Sequence, residues 1–274
     1  YNGLKDFDLK QICLSGQVFR WNECENGYLG VAEDKQVLAV QEDECLTLSS
    51  VQPVDSRFWE NYFDLHTDYS EIKRFLSRDN KMQQAIKSAP GMRILRQNPY
   101  ETIISFIVSA NNNVKRISGI IERLAAKYGE KKQGLFGGYY AFPCAEALAE
   151  ADENDLRACG LGYRTPYIKN TAVKLCNGFD MEIVKEMKYE DAKKYLLQLP
   201  GVGPKVAECI LLYGYGFVDA FPIDVWIARL MRELYLNENS TCDEIEAYAA
   251  EHFGKYGGIA QQYLFYYGRI GRAE

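Results

Sequence analysis

The chain has 274 residues, enough for two or three subdomains with good shared cores. Its 32 Lys and Arg against 38 Asp and Glu leave a net charge of −6 at pH 7, which counts against indiscriminate binding to polyanions, so a nucleic-acid role has to rest on a local basic face and backbone amides. No apolar run is long enough to span a membrane and no signal-peptide pattern is seen, which reads as an intracellular protein, and the eight cysteines, with no CxxC pair, argue for reduced thiols and against a structural zinc or an iron–sulfur cluster.

From Gly16 to Ser50 short apolar runs alternate with polar turns: Val18–Trp21, Tyr28–Ala32, Val37–Val40 and Leu46–Leu48. Asn26-Gly27 between the first two is a hairpin signal, and acidic turns separate the rest. The spacing predicts an antiparallel sheet with one covered face. Aromatic helical segments follow at Phe58–Phe63 and Tyr69–Leu76, then a helix ending near Ser88, and Pro90-Gly91 marks a junction. Asn98-Pro99-Tyr100-Glu101 combines three helix-start signals: a capping Asn, a first-position Pro and a third-position Glu. The helix it opens, Ile103–Ala110, is apolar nearly all round and is expected to be central and buried. It stops at Asn111-Asn112-Asn113, ahead of a helix over Val114–Tyr128. Asn113 suffices to cap that helix, and three asparagines exceed what one cap needs, so at least one is a candidate for facing a ligand.

Gly134 to Phe142 reads as a glycine- and aromatic-rich loop, followed by a helix over Cys144–Ala151 and a shorter one to Ala158. Gly160-Leu161-Gly162-Tyr163-Arg164 is a tight turn that exposes an aromatic beside a cation. It suits wedging into a base stack and pairing with a base, or equally a turn with a packed Tyr and a solvated Arg. Helices over Thr165–Asn177 and Tyr189–Leu199 then lead into Leu199-Pro200-Gly201-Val202-Gly203-Pro204-Lys205-Val206-Ala207. Two glycines and two prolines within this stretch stop either helix from continuing, which predicts a helix-hairpin-helix with its second helix over Val206–Tyr213. Bare glycine backbone lets the amides at the start of that helix approach a phosphate. Lys205 sits in its first turn, where the positive end of the helix dipole disfavours a further positive charge and favours a neutral, nucleophilic amine. The other reading is an exposed lysine that bonds a phosphate or water. Asp224, in the apolar loop Gly214–Trp226, is the expected cap of a helix over Val225–Leu234; beside a reacting sugar it would also stabilise developing positive charge. The last helix, about Tyr256–Ile270, sets Gln261 and Phe265 on one face, suited to reading and stacking a base or simply to core packing. His66 and His252 are isolated and receive no role.

Taken together, Ser15-Gly16-Gln17-Val18-Phe19-Arg20-Trp21, Ser109-Ala110-Asn111-Asn112-Asn113, Gly162-Tyr163-Arg164, the hairpin with Lys205, the distant Asp224, and Gln261 with Phe265 resemble one family. It is the 8-oxoguanine DNA glycosylase/lyase family of the helix-hairpin-helix glycosylase superfamily. The resemblance implies an α+β fold: an N-terminal antiparallel sheet domain with flanking helices (1–90), a helical domain (91–188) and a helix-hairpin-helix catalytic helical domain (189–274), the active site lying in the cleft between the last two. It implies a bifunctional repair enzyme that flips out 8-oxoguanine opposite cytosine, excises it through a Schiff base on Lys205, and nicks the abasic strand by β-elimination. Asp224 would stabilise the oxocarbenium-like state. Cys209 and Phe265 would sandwich the base, Gln261 would read its Watson–Crick edge, and the Gly16 carbonyl would accept the N7 proton that guanine lacks. Asn111 would fill the vacated space, Tyr163 would wedge into the stack, and Arg116 with Arg164 would bond the orphaned cytosine. The backbone amides around Gly201, Gly203, Lys205 and Val206 would hold phosphate. No catalytic metal or cofactor is implied, although hairpin carbonyls in this superfamily can hold a structural cation. The expected partner is damaged double-stranded DNA, the expected state a monomer, and the expected place the bacterial or archaeal cytoplasm, or the nucleus in a eukaryote. One residue departs from the pattern: Trp226 stands where eukaryotic members have a phosphate-contacting histidine, and it reads as packing.

Two rival readings meet specific residues. The endonuclease III and adenine-glycosylase branches carry a C-terminal four-cysteine cluster, whereas only Cys242 lies beyond the hairpin here, and the alkyl-base branch lacks the lysine. A non-catalytic hairpin module, which the acidic net charge would suit, would have no need of Asp224.

Overall fold

The computed structural model describes residues 1–271, the last two by backbone alone. After a short helix α1 (Leu9–Leu14), four strands β1 (Trp21–Cys24), β2 (Gly27–Ala32), β3 (Lys35–Glu42) and β4 (Cys45–Ser49) form an antiparallel meander in that order. Its covered face meets α2 (Ser56–Tyr62): Trp21, Val37, Ala39 and Leu46 pack with Trp59, Tyr62 and Phe63. The Trp21 indole donates to the Tyr62 hydroxyl at 2.9 Å. Gly30, opposite Trp21, has no room for a side chain, since a Cβ there would lie 2.3 Å from the indole.

The first strand begins later than the alternation predicts. Val18, Phe19 and Arg20 are buried ahead of it; the Arg20 carbonyl still accepts from the Val31 amide at 3.0 Å, while its guanidinium turns away to Glu122 and the Tyr140 carbonyl. The first turn is Glu25-Asn26, one residue ahead of the Asn-Gly expectation, and Gly27 with φ +148° already pairs with Cys24.

Helices α3 (Tyr69–Leu76) and α4 (Asn80–Ser88) follow, then α5 (Pro99–Ser109) and α6 (Val114–Tyr128). Residues Thr102 to Val108 of α5 are all buried, as the continuous apolar run requires. Asn98 caps α5 by accepting from the amides of Tyr100 and Glu101. Glu101 does not close a capping box; its carboxylate accepts from the Glu33 amide instead, linking α5 to the sheet. The expected loop after α6 is in part a hairpin, β5 (Lys131–Gly134) and β6 (Gly137–Tyr140), whose Leu135 amide donates to Gln36. Helices α7 (Ala145–Glu150), α8 (Glu153–Ala158), α9 (Thr165–Cys176) and α10 (Tyr189–Leu196) precede the hairpin.

Helix α11 (Pro204–Cys209) runs into a π-helical turn, Ile210–Tyr215, which Gly216 ends at φ +75°. Helices α12 (Val225–Leu234), α13 (Cys242–Phe253) and α14 (Gly257–Tyr266) complete the chain, with a further π-helical turn over Tyr267–Gly271. The sequence reading passed over α13, although Thr241 and Glu244 form a complete capping box there. One apolar core runs through the helices from α3 to α14, and α4 packs on α14. Among the described residues no helix is long and apolar enough to cross a membrane, and no group of three or more His, Cys, Asp or Glu is arranged to hold a metal ion.

Candidate active site

Lys205 follows Gly203 and Pro204 at the start of α11, where proline is suited because the first helical amide has no partner to lose. Its ammonium group lies 3.5 Å from Ser109 Oγ and 5.1 Å from the centre of the Phe106 ring, so the end of α5 forms one wall of its cradle. Cys209, one turn further along α11, forms the other wall, near enough for the Lys205 charge to act on its thiol. Burial pushes the Cys209 thiol up to about 11, against the opposing pull of Lys205. The thiol therefore stays protonated at neutral pH and serves as a soft, uncharged surface.

Asp224 caps α12, one carboxylate oxygen accepting from the Ile227 amide at 2.8 Å. Its charge and that of Lys205 both act on the Cys209 thiol, with opposite signs. The two residues share one neighbourhood without pairing directly. Both are half-buried.

The loop that carries Asp224 is held from behind by Glu208, a residue the sequence reading missed. Glu208 is buried; it pairs with Lys193 at 2.8 Å, accepts from the Tyr189 hydroxyl at 2.6 Å, and accepts from the Phe221 amide at 2.9 Å. Burial alone would lower the Lys193 pKa, but Glu208 and Glu246 outweigh it and raise it. One carboxylate thus bolts α10, α11 and the loop before Asp224 together.

Beside the last helix, Gly16 adopts φ +81°, and a Cβ there would lie 3.2 Å from the Phe265 ring and 3.2 Å from Arg269 Nη1. The left-handed backbone favours glycine, and the space beside it is tight. Gln261 is buried, and its Oε1 is an acceptor without a partner. Phe265 is half-buried, with the Arg269 guanidinium 5.1 Å from its ring centre. Phe265 also lines a pocket of about 200 Å³ with Trp226, Ile227 and Arg229. Trp226 is 57% exposed, not packed as expected, because the first two positions of α12 face outward.

Asn111, Asn112 and Asn113 divide three tasks. Asn113 caps α6 through the Arg116 amide, Asn112 Nδ2 donates to the Val108 carbonyl, and Asn111 is exposed at φ +48°. Arg116 is exposed as well. Tyr163 is 54% exposed, and its hydroxyl donates to the Ala110 carbonyl at 3.2 Å.

Arg164 corrects the expectation of an exposed cation. It is buried, and its guanidinium donates to the carbonyls of Ala110, Asn111 and Leu161 while lying 4.4 Å from the Tyr163 ring centre. The chain leaving α5 presents carbonyls with no helical donor, at the negative end of the dipole, and the guanidinium fork fills that need.

In the hairpin, Gly201 has φ +80° and lies against Tyr167, 2.7 Å from where its Cβ would be; Tyr167 too escaped the sequence reading. Gly203 is extended with open space beside it. Among the described residues the amides of Gly201, Gly203, Lys205 and Val206 have no backbone acceptor, which leaves four unpaired donors in one short stretch. The Pro200 and Gly203 carbonyls are taken by Thr171 and by the Ala207 amide, whereas among the described residues those of Gly201 and Val202 meet no donor.

Residues 2–103 match the 8-oxoguanine DNA glycosylase N-terminal domain, and residues 104–255 match the HhH-GPD superfamily of base excision DNA repair proteins. The "Probable N-glycosylase/DNA lyase" of Methanothermobacter thermautotrophicus is 33% identical over 96% of this chain and 94% of its own. The N-glycosylase/DNA lyase of Saccharomyces cerevisiae is 31% identical over 94% of this chain and 82% of its own. The Clostridium acetobutylicum 8-oxoguanine glycosylase/lyase, solved in complex with double-stranded DNA containing cytosine opposite 8-oxoguanine, superposes with a TM-score of 0.93 at 38% identity, covering 98% of this chain and 93% of that one. With the two family models meeting at residue 103 and covering nearly the whole chain, the chain belongs to the 8-oxoguanine DNA glycosylase/lyase family of the helix-hairpin-helix superfamily, DNA N-glycosylases with abasic-site lyase activity.

Proposed function

We propose that this enzyme excises 8-oxoguanine opposite cytosine from double-stranded DNA and then nicks the strand, with Lys205 as the nucleophile. The observation that carries the reading is the placement of the Lys205 amine between Ser109 and Cys209, with the Asp224 carboxylate acting on the same thiol. Deprotonated Lys205 Nζ attacks C1′ of the flipped nucleotide as the bond to N9 breaks, and the base leaves with the bonding pair. Asp224 stabilises the positive charge shared by the sugar ring in between. Ring opening gives a Schiff base, and loss of a C2′ proton then expels the 3′ phosphate.

Recognition follows the same geometry. A flipped base lies between Cys209 and Phe265, and the unpaired Gln261 Oε1 accepts from its N–H edge. The Gly16 carbonyl accepts the N7 proton of 8-oxoguanine; normal guanine offers an acceptor there, a mismatch of about 1–3 kcal/mol. Asn111 fills the vacated space, Tyr163 wedges into the stack, and Arg116 reaches the orphaned cytosine. Arg164 holds the backbone that carries Asn111 and offers its remaining donor capacity to the same base. The four free amides of the hairpin receive a backbone phosphate, and any cation at the hairpin carbonyls is structural. The enzyme acts as a monomer in the compartment that holds the DNA.

The test is cleavage of a panel of duplexes carrying 8-oxoguanine, hypoxanthine, uracil or 3-methyladenine opposite each of the four bases. The reading expects 8-oxoguanine·cytosine to be cut fastest. Equal rates across lesions, or a preference for an alkylated base, overturn it.

A further inference from the structure

The carbonyls on either side of Gly16 are both held by side-chain amides, one buried and one half-buried. Gln262 Nε2 donates to the Ser15 carbonyl at 3.0 Å, and Gln97 Nε2 donates to the Gln17 carbonyl at 2.7 Å. Among the described residues no hydrogen bond ends on the Gly16 carbonyl between them. Gln262 is 1% exposed, and its orientation is fixed at both ends: a carbonyl can only accept, so Nε2 must face Ser15, and Oε1 accepts from the Tyr213 hydroxyl at 2.6 Å. The same residues close a ring. The Gln97 amide donates to the Tyr213 carbonyl at 2.8 Å, and Gln17 is anchored by the Leu95 amide and by its own donation to Ser15 Oγ.

We infer that Gln262 is a positioning residue for lesion recognition: with Gln97 it clamps the peptide groups flanking Gly16, so that the Gly16 carbonyl stays free and aimed at the base pocket. This rests on the reading of Gly16 as the acceptor of the N7 proton. Gln262 directly follows Gln261 in α14, so on a helix its side chain points about 100° away from the base-reading face, toward the loop at Ser15. One stretch of α14 thus supplies Gln261 and Phe265 to the base and Gln262 to the loop behind it. A glycine at φ +81° has no side chain to resist rotation, which is why its neighbours have to fix the peptide plane.

The inference separates two activities of one enzyme. Excision of 8-oxoguanine needs the Gly16 carbonyl in place; nicking of a preformed abasic site has no base to read. Gln262→Leu keeps similar bulk and removes both hydrogen bonds, so excision of 8-oxoguanine should fall ~10- to 100-fold, with abasic-site nicking in the same preparation unchanged within about twofold. Gln262→Glu still accepts from Tyr213 but opposes two oxygens at Ser15 until its carboxyl is protonated. The ratio of excision to nicking should therefore recover as pH is lowered in that variant and not in the leucine variant. Should Gln262→Leu fail to fold, Tyr213→Phe removes only the hydroxyl that orients Gln262 and should lower the same ratio. Unchanged ratios in the folded variants, or parallel loss of both activities, overturn the inference while leaving the function standing. A wild-type enzyme that nicks abasic sites but spares 8-oxoguanine overturns the function and the inference with it.

Discussion

Glu101 offers a test of the structure that is independent of catalysis. Its carboxyl is buried at the start of α5, the helix whose far end holds Phe106 and Ser109 against Lys205. Burial raises its pKa from 4.5 to about 7, and the Glu33 amide and Arg20 only partly offset this. One oxygen accepts from Glu33; the other has no partner. A carboxyl that holds its proton more tightly when folded adds stability in full below its unfolded pKa, and that contribution is lost as pH rises through the folded pKa. At about 1.36 kcal/mol per pH unit, the gap between 4.5 and about 7 amounts to ~3 kcal/mol. Glu101→Gln removes this titration. Chemical denaturation of both proteins between pH 4.5 and 8.5 should show the variant gaining up to ~3 kcal/mol relative to wild type, most of it between pH 5 and 7.5. A stability difference that stays constant across the range would refute the burial of an ionising carboxyl there.

Three further outcomes follow from the site. Glu208→Ala leaves Tyr189, the Phe221 amide and half of Lys193's pairing uncompensated in a buried site, so denaturant melts should show a loss of ~3–5 kcal/mol; a loss below 1 kcal/mol would mean that the network does not brace the Asp224 loop. Arg116→Ala should reduce the preference for cytosine opposite the lesion without changing stability, whereas Arg164→Ala should also cost ~1–3 kcal/mol in a melt, because the Asn111 carbonyl loses its donor and those of Ala110 and Leu161 keep only one each. Iodoacetamide at pH 8, read by peptide mass spectrometry, should label the exposed Cys144, Cys176 and Cys242 and spare Cys209, whose thiol burial holds near 11; rapid labelling of Cys209 would contradict the closed cradle.

The features legible in the sequence were those written in local chemistry. Asn98-Pro99 fixed the start of α5, the glycines and prolines from 200 to 204 broke the chain between α10 and α11, and alternation gave the sheet. What could not be read were contacts between distant stretches. Arg164 looks solvent-exposed beside two glycines, and only the fold shows that the carbonyls leaving α5 claim it. Gly134 and Gly137 suggested a loop, yet Gln36 from the sheet domain holds their hairpin. Trp226 has the composition of a core residue and a position that faces outward. Glu208 and Gln262 gave no local sign at all, since an acidic or amide residue on an apolar helix becomes informative only when its partners are known. Of the α-helices passed over, α1 and α13, the second was legible: Thr241 and Glu244 spell out its start.

The central claim is that Lys205 forms the covalent link to DNA. Incubation with an 8-oxoguanine·cytosine duplex in the presence of borohydride reads it directly. Wild-type enzyme should yield a stable protein–DNA adduct mapping to Lys205, and Lys205→Gln should still bind the duplex but yield none. An adduct formed by Lys205→Gln, or strand cleavage by wild type with no trappable adduct, would contradict it.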